Sequence, residues 1–394
     1  MALSSNSQLL IDALSNLNLL DGRFERIKLM NVNAVSGAKT GCFSLVFKAF
    51  DVHSKKNVAL KFYDPDPALM HDLYRRNAFQ REHSILEILL TSNRCLQLAS
   101  SMSTYVLSVP LPGGRSVDLS CQYFATDWLE DSIEDFFLKQ QDFSALTKLR
   151  IFNELVLAVE ALHAKSIFHR DLKADNFRSS TEALKRLVVA IDLGTAARFD
   201  SGVIQSAYGH SVGASGYAAP EAHCGLAGNR HLAHYTDIYA LGCLLFELFN
   251  YDYFFQALHS ANPHYGVVMF AMGTFTQGVV DNDQQKGLWR KALHVHSASI
   301  APINIDAPGN TIPGALVPML NELLLSLTHA DYSNRPRSLA WVRSKVWTAI
   351  RLLQNELESR RRVEASREMR RRRLEKLRIK EERFAMRLGQ RIKP

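Results

Sequence analysis

The stretch that most constrains this chain is His169-Arg170-Asp171-Leu172-Lys173-Ala174-Asp175-Asn176, followed by Ile191-Asp192-Leu193-Gly194. It meets the pattern H-R-D-L-x-x-x-N at every specified position, and Asp192 falls sixteen residues after Asn176. Asp171 is a carboxylate able to accept a proton, and Lys173 supplies a cation two residues on. Asn176 and Asp192 offer oxygen ligands to a hard divalent ion. An oriented hydroxyl, a metal ion on phosphates and a neutralising positive charge are what phosphoryl transfer requires. The bland alternative, a polar turn that merely joins two elements, has no need of every specified letter.

A chain of 394 residues is long enough for two lobes, each with its own core. Its 47% hydrophobic and 22% charged content suits a globular protein and argues against disorder. Asp12, Ser15 and Asn16 break up the apolar run begun by Leu9-Leu10-Ile11, so no secretory leader is expected. No apolar run approaches about 18 residues, so no membrane span is expected either. The five cysteines are odd in number and none is spaced C-x-x-C, which fits reduced packing thiols and a cytoplasmic location. The net charge of +8 is unevenly placed. From Arg360 onward 15 Lys and Arg stand against 5 Glu, leaving −2 on residues 1–359.

Taken in order, residues 5–20 carry Leu9, Leu10, Ala13, Leu17 and Leu20 at helical spacing, which predicts a short amphipathic helix. Residues 23–50 read as two strands split by a Gly-containing turn at 36–44, and residues 57–63 as a third. Glycine in the turn allows close backbone approach to a phosphate, with Lys61 reaching in from the next strand. A helix is predicted over 67–90, and two strands around the Pro- and Gly-rich turn 110–115. Leu149, Phe152, Leu155, Val156, Val159 and Leu162 form one stripe of a core-packed helix over 143–163, leading directly to His169. Residues 236–249 are apolar nearly all round, the mark of a helix buried on most sides.

Val58-Ala59-Leu60-Lys61, the catalytic stretch, Ala219-Pro220-Glu221 and Arg335-Pro336 occur in the order and spacing of one family. From about Arg23 to about Leu352 the chain resembles the eukaryotic-like serine/threonine protein kinases. The resemblance implies an α+β, two-lobed fold: a small β-rich lobe with one major helix at 23–127 and a larger helical lobe at 128–352. An N-terminal segment (1–22) and an Arg-rich tail (353–394) flank them. It implies ATP and Mg²⁺ as cofactors and a protein substrate. By resemblance Asp171 is the base, Lys173 the γ-phosphate contact, and Asn176 and Asp192 the Mg²⁺ ligands. Gly41, Val46, Ala59 and Lys61 then surround the nucleotide, Glu82 pairs with Lys61, and the backbone of Asp127 and Leu129 faces adenine beside Thr126. The buried-helix Asp237 steadies the catalytic loop, and Arg335 pairs with Glu221. Arg170 is placed to meet a phosphate on the 192–221 segment, at Ser206, Tyr208, Ser211 or Ser215.

Three departures stand out. Aligning Val46 with the valine after G-x-G-x-x-G leaves Lys39, Gly41 and Ser44 at the glycine positions, so one glycine of three remains. Leu193 replaces the Phe of D-F-G. Ala214 occupies the position where serine/threonine kinases carry Thr. The first and third support a rival, a pseudokinase scaffold that binds nucleotide or partners without turnover. A small-molecule kinase of related fold is a second rival, opposed by the Ala-Pro-Glu segment. Scattered histidines, including His223 beside Cys224 and His231-x-x-His234, lack the tight paired spacing of structural zinc. The tail over 360–393 reads as a long solvated helix, a contact for nucleic acid or another polyanion, or a dimerisation or docking helix through Leu374, Leu377, Phe384 and Leu388. The sequence names no oligomeric state.

Overall fold

The computed structural model describes residues 3–32, 39, 44–68, 71–133, 137, 143–182, 185–198, 213–306 and 312–391. Five antiparallel strands, β1 (Phe24–Leu29), β2 (Ser44–Asp51), β3 (Lys56–Tyr63), β4 (Leu98–Pro110) and β5 (Ser116–Asp127), form one sheet in the order β1-β2-β3-β5-β4. Strand alternation gives the sheet two different faces. Leu45, Phe47, Leu60 and Phe62 are buried on one, against Leu10, Ile11 and Leu14 of helix α1 (Ser5–Ser15). Burying a Leu or Ile side chain contributes about 1.5–3 kcal/mol, so three of them hold α1 on the sheet. On the other face Val46 lies opposite Lys61 and Lys48 opposite Ala59.

Helix α2 (Leu73–Ile88) follows β3. It starts six residues later than the sequence predicts, because Asp72 caps it by accepting the N–H groups of Tyr74 and Arg75.

The larger part is helical. A two-residue strand β6 (Asp131–Ser132) leads to α3 (Ala145–His163), then β7 (Ile167–Phe168), the hairpin β8 (Phe177–Glu182) and β9 (Lys185–Ala190), and β10 (Ala197–Arg198). After α4 (Pro220–His223) come α5 (Ala233–Asn250), α6 (Phe254–Ala261), α7 (Tyr265–Thr274), α8 (Asn282–His296), α9 (Val317–Thr328) and α10 (Leu339–Arg391). Sixteen of the eighteen residues of α5 are buried, as its all-round apolar sequence predicts. Gly242 lets α9 come close, since a Cβ there would sit 2.4 Å from Thr328 Cγ2. The main core runs from α2 through α3 and α5 to the start of α10, where Leu353 is its last buried residue. The α+β, two-part architecture predicted from the sequence is the one observed.

Candidate active site

Lys61 stands on the uncovered face of β3, beside Val46 and Ala59. Its Nζ lies 2.5 Å from Glu82 Oε2 of α2 and 3.1 Å from Asp192 Oδ1. Burial works against the charge of Lys61, but Asp192 and Glu82 outweigh it and hold the ammonium well above its ordinary value. Burial raises Glu82, and the Lys61 ammonium lowers Asp192. Asp192 sits at φ +62°, a left-handed backbone that turns the chain sharply after β9. Arg81 Nη1 donates to Gly194 O at 3.2 Å, so α2 grips this turn from the same helix that carries Glu82. Leu193 is fully buried in the core, an apolar residue in an apolar place.

The 169–176 segment is fixed through its backbone. Asp237 of α5, fully buried, accepts the N–H of His169 at 2.8 Å, the N–H of Arg170 at 2.7 Å and His163 Nε2 at 2.8 Å. Burial pushes Asp237 up, yet these donors and the neighbouring histidines prevail and hold its carboxyl below the ordinary aspartate value. His169 Nδ1 accepts the Asp171 N–H at 3.3 Å while Nε2 meets Ile191 O at 2.9 Å. Only the tautomer protonated at Nε2 satisfies both, so His169 is a structural strut. Arg170 is buried and donates to the carbonyls of Thr195 and Ala227, tying the segment to both sides of the following loop.

Asp171 accepts Ala214 N–H at Oδ1 (2.6 Å) and Asn176 Nδ2 at Oδ2 (3.1 Å). Burial raises its carboxyl above the ordinary value, opposed by His169, Lys173 and the Ala214 amide. Asn176 Nδ2 also donates to Asp171 O at 2.7 Å, which leaves Asn176 Oδ1 as an acceptor with no partner among the described residues. Ile191 donates to Asn176 O at 2.8 Å, and this bond sets Asn176 beside Asp192. An amide oxygen and an ionised carboxylate side by side suit a hard divalent cation. Lys173 lies 3.7 Å from Asp175 and acts electrostatically on both Asp171 and Asp192. The structure thus brings Lys61, Glu82, Asp171, Lys173, Asn176 and Asp192 into one electrostatic neighbourhood.

The adjoining segment packs against this loop. Gly213 adopts φ +88°, and a Cβ there would stand 2.3 Å from Arg170 O, so only glycine fits. Glu221 forms a fully buried two-pronged pair with Arg335, at 2.6 and 3.1 Å. Tyr217 donates to buried Glu247 at 2.8 Å, and burial raises Glu247 to about 7 against the hydrogen bonds from Tyr217 and the Phe254 backbone.

Asp127 and Leu129 sit at the end of β5 and just beyond it, and the Asp127 N–H is taken by Gln97 O at 3.0 Å. Thr126 beside them is buried. Gly41 and the loop hydroxyls Ser206, Tyr208 and Ser211 lie outside the described residues. Among the described residues no group of three or more His, Cys, Asp or Glu is placed to hold a metal, and no helix is long and apolar enough to cross a membrane.

Sequence reasoning missed how the β1–β2 connection is held. Leu29 pairs with Phe47 and Met30 N–H donates to Val46 O, so β1 ends well before the Lys39–Ser44 alignment of G-x-G-x-x-G, and Val32 bridges Lys39 between the two strands. Asn31 extends the ladder with its side chain, donating to Ser44 O at 2.9 Å and accepting Val46 N–H at 2.8 Å. Lys39, at the first glycine position of the alignment, is buried and paired with Asp64, whose other oxygen accepts Ser7 Oγ of α1 at 2.6 Å. Asparagine two residues past a strand end is the one local signal that was available.

The protein kinase domain family matches residues 39–346. The serine/threonine-protein kinase PSK2 of Saccharomyces cerevisiae is 32% identical over 117 residues, 30% of this chain and 9% of its own length. CBL-interacting protein kinase 24 of Oryza sativa is 25% identical over 230 residues, 58% of this chain and 44% of its own. The serine/threonine-protein kinase PRR1 of Saccharomyces cerevisiae is 34% identical over 113 residues, 25% and 21% of the two chains. The chain spans less than half the length of each.

Proposed function

The chain belongs to the protein kinase domain family, and from that premise we propose that it transfers the γ-phosphoryl group of Mg-ATP to Ser or Thr hydroxyls of proteins, itself included. The observation that carries this reading is Lys61 bridging Glu82 and Asp192 while Asp171 and Asn176 are hydrogen-bonded beside them. Val46, Ala59 and the backbone at Asp127 and Leu129 surround the base and sugar, and the turn that carries Gly41 is assigned to the phosphates. Lys61, held by Glu82, meets the α- and β-phosphates. Asn176 and Asp192 would hold Mg²⁺, which would neutralise charge on the phosphates when bound. Asp171 orients the acceptor hydroxyl and takes its proton as the oxygen bonds to the γ-phosphorus and the bond to ADP breaks. Lys173 neutralises charge gathering on the transferred group. The serine/threonine kinases among the relatives support the acceptor class.

The test is incorporation of labelled phosphate from ATP by wild type and Asp171→Asn. The variant is expected to lose about 10²–10⁴-fold in kcat, the range of general-base catalysis, with its melting temperature nearly unchanged. Equal incorporation by both would contradict the assignment of the base. Nucleotide binding with no incorporation by wild type, even at stoichiometric enzyme, would favour the pseudokinase scaffold.

A further inference from the structure

Helix α10 is continuous for 53 residues, and only its beginning belongs to the folded body. Leu353 is buried, and from Gln354 to the last side chain described, Arg383, no residue is. At 1.5 Å per residue the remainder of the helix extends about 55 Å. That is several times the roughly 8 Å over which charges act at physiological ionic strength, so most of the tail is electrostatically independent of the body.

We propose that this projecting helix binds duplex nucleic acid by lying in a groove between phosphate walls. The inference does not rest on the phosphoryl-transfer reading. The charge is complementary, with 15 Lys and Arg against 5 Glu beyond residue 359, and 12 of the 15 are Arg, whose planar fork engages phosphate at two points. Internal pairing consumes only part of it. Glu368 serves both Arg371 and Arg372, whereas Arg367, Arg370, Arg373 and Lys376 have no acidic partner among the described residues.

The angular distribution selects the partner. Arg370 to Arg373 are four consecutive exposed residues, spaced about 100° apart, and so encircle the axis. A flat anionic bilayer touches one side of a helix and leaves such residues idle. A groove about 12 Å wide admits a helix and presents phosphates along both flanks. The exposed apolar residues agree: among the described side chains Val363, Leu374 and Leu377 share one side, but Arg367, Arg370 and Glu381 interrupt it and Ile379 lies about 140–160° away from the two leucines, so lipid meets no continuous apolar face there. A second copy of the tail is disfavoured too. Arg371, Arg373, Arg378 and Lys380 border the Leu374–Leu377 seam, and pairing two such helices sets like charges together. Contacts made only to phosphate carry no sequence preference.

The test uses the full chain and a fluorescent 20-base-pair DNA duplex, with binding followed across salt concentrations. The expected plot of log K against log salt has a slope of about −5 or steeper, reflecting roughly six displaced counterions. Replacing Arg370, Arg371, Arg372 and Arg373 together by Gln is expected to weaken binding at least tenfold and make that slope shallower by about 3, with kinase activity and helix content unchanged. Absence of duplex binding would overturn the proposal. So would equal affinity of the Gln variant, equal affinity for a single strand of the same length, or equal affinity for phosphatidylserine vesicles at matched phosphate. Concentration-dependent dimerisation abolished by Leu374→Glu and Leu377→Glu, with no duplex bound, would assign the helix to a second copy instead.

Discussion

The segment 169–176 and the described ends of the β1–β2 connection, Met30 to Val32 and Lys39, are secured in unlike ways. In the first, consecutive amides of His169 and Arg170 end on one buried carboxylate, Asp237, whose helix is itself locked in the core. In the second, side chains do the holding: Asn31 imitates a strand residue, and Lys39 reaches Asp64, which also holds Ser7 of α1. Amide-to-carboxylate bonding fixes the backbone whatever the loop's side chains are. A buried ion pair is conditional, because loss of either partner strands the other.

The comparison can be broken most severely at Asp237. Asp237→Ala leaves two buried amides and His163 without their acceptor, and is expected to cost about 4 kcal/mol or more in urea denaturation, with kcat collapsing alongside. A loss under about 1 kcal/mol would mean the loop is held by something else. Next comes the turn. Lys39→Met is expected to cost about 3 kcal/mol, while Lys39→Met with Asp64→Leu recovers to within about 1 kcal/mol of wild type, because the charges leave together. If the pair also positions the turn over nucleotide, KM for ATP rises in both variants while kcat moves little. An unchanged KM would confine the pair to folding.

The smallest effect sharpens the contrast between two glutamates that hold the same segment, Glu221 paired with the Arg335 guanidinium and Glu247 bonded to the neutral Tyr217 phenol and the Phe254 backbone. A carboxyl raised in the folded state from 4.5 to about 7 contributes stability below about pH 4.5 that is lost as pH climbs through 7. Glu247→Gln removes that dependence. Relative to wild type, the variant is expected to gain about 1–2 kcal/mol between pH 5 and pH 7.5 in parallel thermal melts. A pH-independent difference would show that Glu247 titrates normally.

These contrasts also mark what was legible beforehand. The meeting of Asp171, Lys173, Asn176 and Asp192 was, because the first three lie within six residues and Asp192 closely follows a β-branched strand. The Glu221–Arg335 pair was legible through the short motifs at each end. The start of α2 was misplaced because apolar spacing does not weigh Asp72 as a cap against the Pro65-Asp66-Pro67 run before it. The β1–β2 turn was hidden for a deeper reason. Anchoring the pattern on Val46 fixes only one arm, and the other is set by the register of Leu29 with Phe47, a through-space fact. A lysine and an aspartate 25 residues apart carry no periodic trace of their meeting.

The Ala214 amide at Asp171 has one more implication. With Asn176 on its other oxygen, this carboxylate already holds two donors. A carboxylate offers about four acceptor positions, so in the reaction we propose an arriving hydroxyl joins these two donors and need not evict either. Residues 213–214 thereby brace the carboxylate on one side and Asn176 does so on the other, and its direction is set before any guest arrives.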